Sequence, residues 1–85
     1  MPRYFFDFVD GSRRPDLVGT ELAGLDQARR EAAILASNLL RDDPTGFWRE
    51  AAWRVEVKDE EGLVLFTVHL MAADAPAVQS GPPRR

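Results

Sequence analysis

The opening segment RYFFDFV constrains the fold more than any other part of the chain, because it carries four aromatic rings within five residues. Successive side chains of a β-strand point to opposite faces of the sheet. Tyr4, Phe6 and Phe8 therefore share one face, and Phe5 and Val9 share the other. A strand that is apolar on both faces is typical of the middle of a sheet. We therefore predict that this strand lies in the centre of a sheet.

The segment LVLFTVHLM has the same property and predicts a second central strand. Its side chains divide between two faces, one with Val64, Phe66, Val68 and Leu70 and the other with Leu65, Thr67 and His69. The segments LVGTEL at residues 17–22 and WRVEVKD at residues 53–59 are short or have one polar face. These two are predicted to be edge strands.

One long helix is predicted between the second and third strands, over residues 25–42, where apolar side chains recur at helical spacing. They form a stripe about 100° wide, as expected of a helix packed on a core. The stripe consists of Leu25, Ala28, Ala32, Leu35, Ala36 and Leu39. Gly24 is the expected N-cap, and Pro44 disfavours continuation of the helix.

The connections on either side of the third strand are predicted to be irregular. Residues 45–52 form a loop, with at most one helical turn, whose Phe47 and Trp48 cover one end of the core. The segment DEEG before the last strand is a hairpin connection in which Gly62 adopts a positive φ.

The order of the elements predicts an α+β fold of the type ββαββ. The four strands form a mixed sheet in the spatial order 2-1-4-3, with the two doubly apolar strands parallel in its centre. One helix covers one face, a β-grasp-like arrangement. Tyr4, Phe6 and Phe8 lie on the helix side, because three large rings match the small alanines of the helix stripe.

The length of 85 residues predicts a single domain, which we place at residues 1–71. The tail at residues 72–85 is rich in Pro and small side chains, and we predict that it is disordered. The net charge of −3 argues against nucleic acid and anionic membranes as partners. The absence of cysteine, of a signal peptide and of an apolar run of about 20 residues favours a cytoplasmic location.

The face of the sheet away from the helix is the candidate interface. Phe5, Val9 and Leu65 would form an apolar patch there, and such patches usually mark interfaces. The candidate interface residues are Arg3, Phe5, Asp7, Val9, Leu65, Thr67 and His69. A homodimer is the simplest partner, since charges of both signs surround the patch. The alternative is that residues 45–52 or the C-terminal tail fold over it.

The chemical inventory is poor. His69 is the only histidine; a catalytic role would need Thr67 and Asp7 beside it, and a solvated or interfacial histidine is the simpler interpretation. Asp59, Glu60 and Glu61 are consecutive in a tight turn and lack the spacing of a calcium loop. We therefore expect no enzymatic activity, no catalytic residue, no metal and no cofactor.

These observations favour a small non-enzymatic protein-interaction module that self-associates through the open face of its sheet. Two alternatives remain open at this stage. One is a nucleic-acid-binding or regulatory small protein. The other is an enzyme or ligand-binding domain that uses His69.

Several motifs, in their order and spacing, carry a family resemblance. They are PRYFF at the start, DG at residues 10–11, D-x-x-G-x-E-L from Asp16, L-x-x-A-R-R-E-A from Leu25 and VEVKDEEGLVLFTV from Val55. Over residues 2–70 the chain resembles a family of short uncharacterised bacterial proteins that are described as a domain of unknown function. The resemblance implies a small α+β domain and no established activity. The chain departs from the family pattern at Asp7, where that pattern has His, and at Gly24, where it has an acid or Ser.

Overall fold

The computed structural model of the chain describes residues 1–80. The elements are β1 (Arg3–Val9), β2 (Arg13–Arg14), β3 (Thr20–Glu21), α1 (Leu25–Asp42), α2 (Pro44–Glu50), β4 (Ala52–Lys58), β5 (Val64–Met71) and α3 (Pro76–Ser80). The α+β class, the first strand and the bounds of the long helix are as the sequence predicts. The expected second strand is reduced to β3, and β2 is an additional short strand.

All strand pairs of the sheet are antiparallel. The order across the sheet is β2-β1-β4-β5, and β3 also pairs with β1. β3 pairs with the start of β1 through Arg3↔Glu21, and β2 pairs with its end through Val9↔Arg13. Because β3 and β4 are both antiparallel to β1, they run parallel to each other. The helical connection between them therefore crosses over β1.

The predicted strand order 2-1-4-3 and the parallel central pair are wrong. The third predicted strand, now β4, lies beside β1, and the doubly apolar β5 lies at the edge. The prediction assumed that the charged face of β4 needs solvent at a sheet edge. In the structure the charges on that face are paired, with Glu56 bound by Arg13 and Arg54 and with Lys58 bound to Asp7. Paired charges remove the reason to keep β4 at the edge, so the β-grasp-like arrangement is not formed.

The core lies between α1 and the helix side of the sheet. It is built from Tyr4, Leu22, Ala28, Ala32, Ala36, Val55 and Val57, and half-buried Phe6, Leu35, Leu39, Phe66, Val68 and Leu70 pack around it. The alanine stripe is buried as predicted, since small side chains let the helix approach the rings of β1. Gly24 precedes α1 without a side-chain cap, and Gln27 compensates by accepting the Ala23 N–H at 2.7 Å.

Residues 44–50 form a seven-residue helix, α2, where the sequence analysis predicted a loop with at most one turn. Asp43 is its N-cap and accepts the Gly46 N–H at 3.0 Å, while Pro44 occupies the first turn. Phe47 is buried and contacts Trp53 edge to face, with ring centroids 5.3 Å apart. Trp48 does not cover the core, because 57% of it is exposed.

A β-bulge interrupts the pairing of β4 with β5. The register shifts between Val57 and Lys58, so that Val57 lies opposite Phe66 and Lys58 lies opposite Val64. A one-residue shift moves a side chain to the other face of a sheet. Leu65 lies at this bulge and lines a shallow cavity with residues of both faces of β1, Arg3 and Tyr4.

The last described element is α3, a five-residue helix that the sequence analysis did not predict. The Ala72 N–H donates to the Ala51 C=O at 3.0 Å, which continues the β4–β5 pairing one residue beyond Met71. The predicted disorder of residues 72–85 stays a prediction for the described part of the tail. Residues 81–85 lie outside the described residues.

Candidate interaction surface

Asp7 is the centre of the sheet face that points away from α1. It lies opposite Glu56 in the β1–β4 pairing, and none of it is exposed to solvent. Its carboxylate forms ion pairs with Lys58 Nζ at 2.6 Å and with Arg13 Nη1 at 3.2 Å. It also accepts a hydrogen bond from the Asp16 N–H at 3.0 Å. The expectation that Asp7 belongs to an accessible interface is therefore wrong, because its carboxylate is surrounded by donors from β4, from β2 and from the loop that follows β2.

The three donors keep the Asp7 carboxylate charged. Burial raises the pKa of Asp7. Four contributions outweigh this effect and lower the pKa: the hydrogen bond from Lys58, the hydrogen bond from the Asp16 N–H, the charge of Lys58 and the hydrogen bond from Arg13. The net pKa of Asp7 lies below its ordinary value of 3.8. Hydrogen bonds from Arg13 and Arg54 likewise lower the pKa of Glu56. The charged network is therefore a structural element of the sheet face.

Asp16 fills the gap between β2 and β3 along the edge of β1. Its Oδ2 accepts the Phe6 N–H at 3.1 Å, and its Oδ1 accepts the N–H groups of Val18 and Gly19, each at 3.0 Å. A side chain thus occupies the position where a continuous neighbouring strand would supply a backbone carbonyl. Burial raises the pKa of Asp16, but the hydrogen bonds from Gly19, Phe6 and Val18 outweigh it, and the pKa is lowered.

The turn that follows Asp16 covers Phe5. Gly19 has a φ of +77°, and a Cβ at this position would lie 2.8 Å from the Phe5 ring. Arg3 fixes the same turn by donating to the C=O groups of Val18 and Gly19 at 3.0 and 3.3 Å. Within residues 1–80 the structure thus places against Phe5 a turn that the sequence analysis did not consider as a cover. The turn is held tightly, although Leu17 and Val18 project from it with 84% and 75% exposure.

The predicted apolar patch is not continuous. Phe5 and Val9 lie on β1 and Leu65 lies on β5, with β4 between them. The β4 residues on that face are Arg54, Glu56 and Lys58, which form a charged strip across its middle. Leu65 also lies at the β-bulge, where the pairing of β4 with β5 is irregular.

Two of the predicted residues do lie together on the free side of the sheet. Thr67 is opposite Glu56 and His69 is opposite Arg54, both on β5. The suggested grouping of His69 with Asp7 does not occur, since β4 separates β1 from β5 and Asp7 is enclosed by its own donors. Within residues 1–80 no group of three potential metal ligands occurs.

The free edge of β5 was missed by the sequence analysis, which placed this strand in the centre. The Ala72 N–H points toward β4. Backbone groups alternate in direction along an antiparallel strand, so those of Leu70, Val68 and Phe66 also point toward β4. The N–H and C=O groups of Thr67, His69 and Met71 therefore point away from the sheet. Among the described residues no strand pairs with this side of β5.

The side chains along this edge are apolar, with the exception of Thr67 and His69. Phe66, Val68 and Leu70 pack on the core but stay half-buried, and 76% of Met71 is exposed. The strand contains no Pro, Lys, Arg, Asp or Glu, the residues with which edge strands are usually protected. An unprotected edge of this kind is a template for another strand.

Of three comparisons with known proteins, one places the chain in a family. No helix within residues 1–80 has the length and apolar character needed to cross a membrane. Neither a curated protein nor a solved structure matches the sequence. One family model does match, over residues 3–72, which is most of the chain. On this evidence the chain belongs to the family described as a domain of unknown function, DUF6894.

Proposed function

We propose that this protein is a non-enzymatic protein-interaction module that binds an extended polypeptide segment along the free edge of β5. The observation that carries the proposal is the regular run Phe66–Met71 at the edge of the sheet, with outward backbone groups at every second residue. A bound strand would pair with these groups and continue the sheet, a recognised mode of peptide recognition.

The edge is a better binding surface than the outer face of the sheet. Binding on the outer face would remove water from the strip of Arg54, Glu56 and Lys58, and desolvation of charges is costly even when they are paired. Binding at the edge removes water from apolar side chains and from backbone groups that gain hydrogen bonds. Each such hydrogen bond contributes about 1 kcal/mol net, and the apolar side chains contribute roughly 25 cal/mol per Å² buried.

The arginines of β2 and β4 are paired with acidic side chains, which disfavours nucleic acid as a partner. Arg13 and Arg54 are bound to Glu56, and Arg14 is bound to Asp10 at 2.8 Å. Phosphate recognition requires basic side chains that are free to replace counterions. The net charge of −3 adds a repulsive contribution.

Site-specific photocrosslinking in cells tests the proposal. A benzophenone amino acid replaces Met71 at the free edge, and in a matched control it replaces the exposed Arg14 at the opposite edge. Each version is also made with Thr67→Pro, which removes an outward N–H and leaves the bonds to β4 intact, since Pro is tolerated at edge strands.

We expect a crosslinked polypeptide from position 71, and its loss in the Thr67→Pro background. We expect no crosslinked polypeptide from position 14 in either background. Equal crosslinking from both positions, or crosslinking from position 71 that Thr67→Pro leaves unchanged, would overturn the proposal. Circular dichroism of Thr67→Pro confirms that the variant is folded.

A further inference from the structure

We infer that the strand bound at this edge is β5 of a second copy of the same chain, antiparallel and related by a two-fold axis at His69; this rests on the proposed function. Three properties of the edge support it, namely the direction of its backbone groups, the alternation of its side chains and its charge.

The direction of the backbone groups limits the possible registers. In an antiparallel pair, directly opposite residues both point toward the partner or both point away from it. The outward residues in the regular part of β5 are Thr67, His69 and Met71. A two-fold axis at His69 sets Thr67 of each copy opposite Met71 of the other and sets the two His69 residues opposite each other. All three outward residues then exchange hydrogen bonds, which is the largest number this segment can form with itself.

A two-fold axis at Val68 would leave more of the outward backbone groups of β5 without a hydrogen-bond partner. It pairs Thr67 with His69 of the second copy, but it leaves Met71 opposite Leu65, which lies at the bulge where the ladder is irregular. The axis at His69 avoids the bulge. The bulge therefore selects the register by shortening the regular part of the edge.

The side chains match in the same register. On the helix side, Val68 of each copy lies opposite Leu70 of the other. Both are half-buried against α1 in the single chain. The second copy would continue the apolar row beneath the two long helices. Each copy would therefore cover the half-buried Val68 and Leu70 of the other. Cross-strand apolar pairs of this kind stabilise a sheet by about 0.2–1 kcal/mol each.

The charge distribution permits the contact. β5 carries no acidic side chain and no Lys or Arg. The charged residue nearest to His69 in the pairing is Arg54, whose Nε contacts Glu56 Oε2 at 2.7 Å. Two copies can therefore meet at this edge without bringing unpaired charges together, and a symmetric contact places the same surface on both sides.

Cysteine substitution tests the register, since the chain contains no cysteine. In the proposed dimer the Cα atoms of the two residues 69 are about 5.5 Å apart, a separation that a disulfide can span. We expect His69→Cys to form a disulfide-linked dimer under mild oxidation. The two residues 67 are about 13 Å apart in this register, so Thr67→Cys is the matched control and should stay reduced.

The double variant Thr67→Cys with Met71→Cys should form the linked dimer, because those positions face each other. A disulfide from Thr67→Cys alone, or none from His69→Cys, would overturn the register. An axis at Val68 would separate the two residues 69 by about 8 Å, too far for a disulfide.

Sedimentation at tens of micromolar tests the identity of the partner. We expect a dimeric wild type and a monomeric Thr67→Pro, with Thr67→Val as the control for the side chain. A wild type that is monomeric over this range overturns the second copy as the occupant. The photocrosslinking result at Met71 then decides separately whether the edge binds another polypeptide.

Discussion

The two edges of the sheet differ in whether their outward backbone groups have hydrogen-bond partners. On one side, β1 is covered by the two-residue strands β2 and β3, and Asp16 occupies the gap between them. On the other side, β5 runs regularly from Phe66 to Met71 and pairs only with β4 within residues 1–80. The first edge is interrupted and charged; the second is continuous and apolar.

The difference shows where the chain excludes additional strands and where it does not. Edge strands are commonly shortened, charged or interrupted by Pro, because a free edge promotes association. The first edge has all three features, with Arg13, Arg14 and Pro15 in sequence. The second edge has none of them. A chain that protects one edge this thoroughly and leaves the other open is consistent with association at the open edge.

The largest expected effect is that of Asp7→Ala, which removes the acceptor at the base of the protected edge. Lys58 and the Asp16 N–H lose their partner and Arg13 keeps only Glu56, so we expect the free energy of unfolding to fall by about 3 kcal/mol or more. Urea denaturation measures it. Asp26→Ala is the control, because its pair with Arg29 is exposed to solvent and exposed ion pairs contribute little to stability. A loss at Asp7 no larger than that at Asp26 would contradict the structural role of the network.

Gly19→Ala should destabilise the same edge by about 2 kcal/mol, since a positive φ is unfavourable for an L-residue and the new Cβ meets Phe5 and Arg3 at 2.8 Å. Gly62→Ala is a matched control, because Gly62 also has a positive φ, +83°, but no atom within 4 Å of the added Cβ. The difference between the two variants in thermal unfolding isolates the steric contribution. Equal losses would show that the turn does not press on Phe5.

Acid should weaken the protected edge. The pKa values of Asp7, Asp16 and Glu56 are lowered in the folded protein. A lowered pKa stabilises the fold above the ordinary pKa, and that stabilisation is lost as the pH falls toward the folded-state value. We expect the free energy of unfolding to decrease as the pH falls through the ordinary Asp value of 3.8. Asp16→Asn should reduce this slope in urea titrations at several pH values, and an unchanged slope would contradict the assignment.

Amide hydrogen exchange gives the smallest effect and the most direct comparison of the edges. The Phe6 N–H is bound by Asp16, so its exchange should be slow at every protein concentration. The Thr67 and His69 N–H groups should exchange rapidly in dilute protein and slow down as the concentration rises. Protection at these two positions that does not depend on concentration would contradict self-association at β5.

Local patterns in the sequence determined most of the elements. Periodicity located β1, α1, β4 and β5, and the match of large rings to small alanines assigned Tyr4, Phe6 and Phe8 to the helix side. It missed α2, although Asp43 followed by Pro44 is a recognisable start of a helix with an acidic N-cap. The signal was present, but Pro44 was interpreted only as the end of the preceding helix.

The candidate surface was less predictable. Exposure at Asp7 depends on Arg13 and Lys58, which are 6 and 51 positions away in the chain. The face of Leu65 depends on a bulge opposite Lys58. Neither fact can be predicted from the alternation of polar and apolar residues on which the predicted interface was based.

The sequence by itself determined the class of fold and the apolar face of each element, because both follow from local periodicity. Only the tertiary structure decided which strands are neighbours. The apolar character of β5 suited the centre of the sheet, and the charges of β4 suited an edge. Pairing of those charges with Asp7 and Arg13 reversed that order, since ion pairs between distant segments make a charged strand acceptable in the interior of a sheet. The open edge of β5 is the consequence.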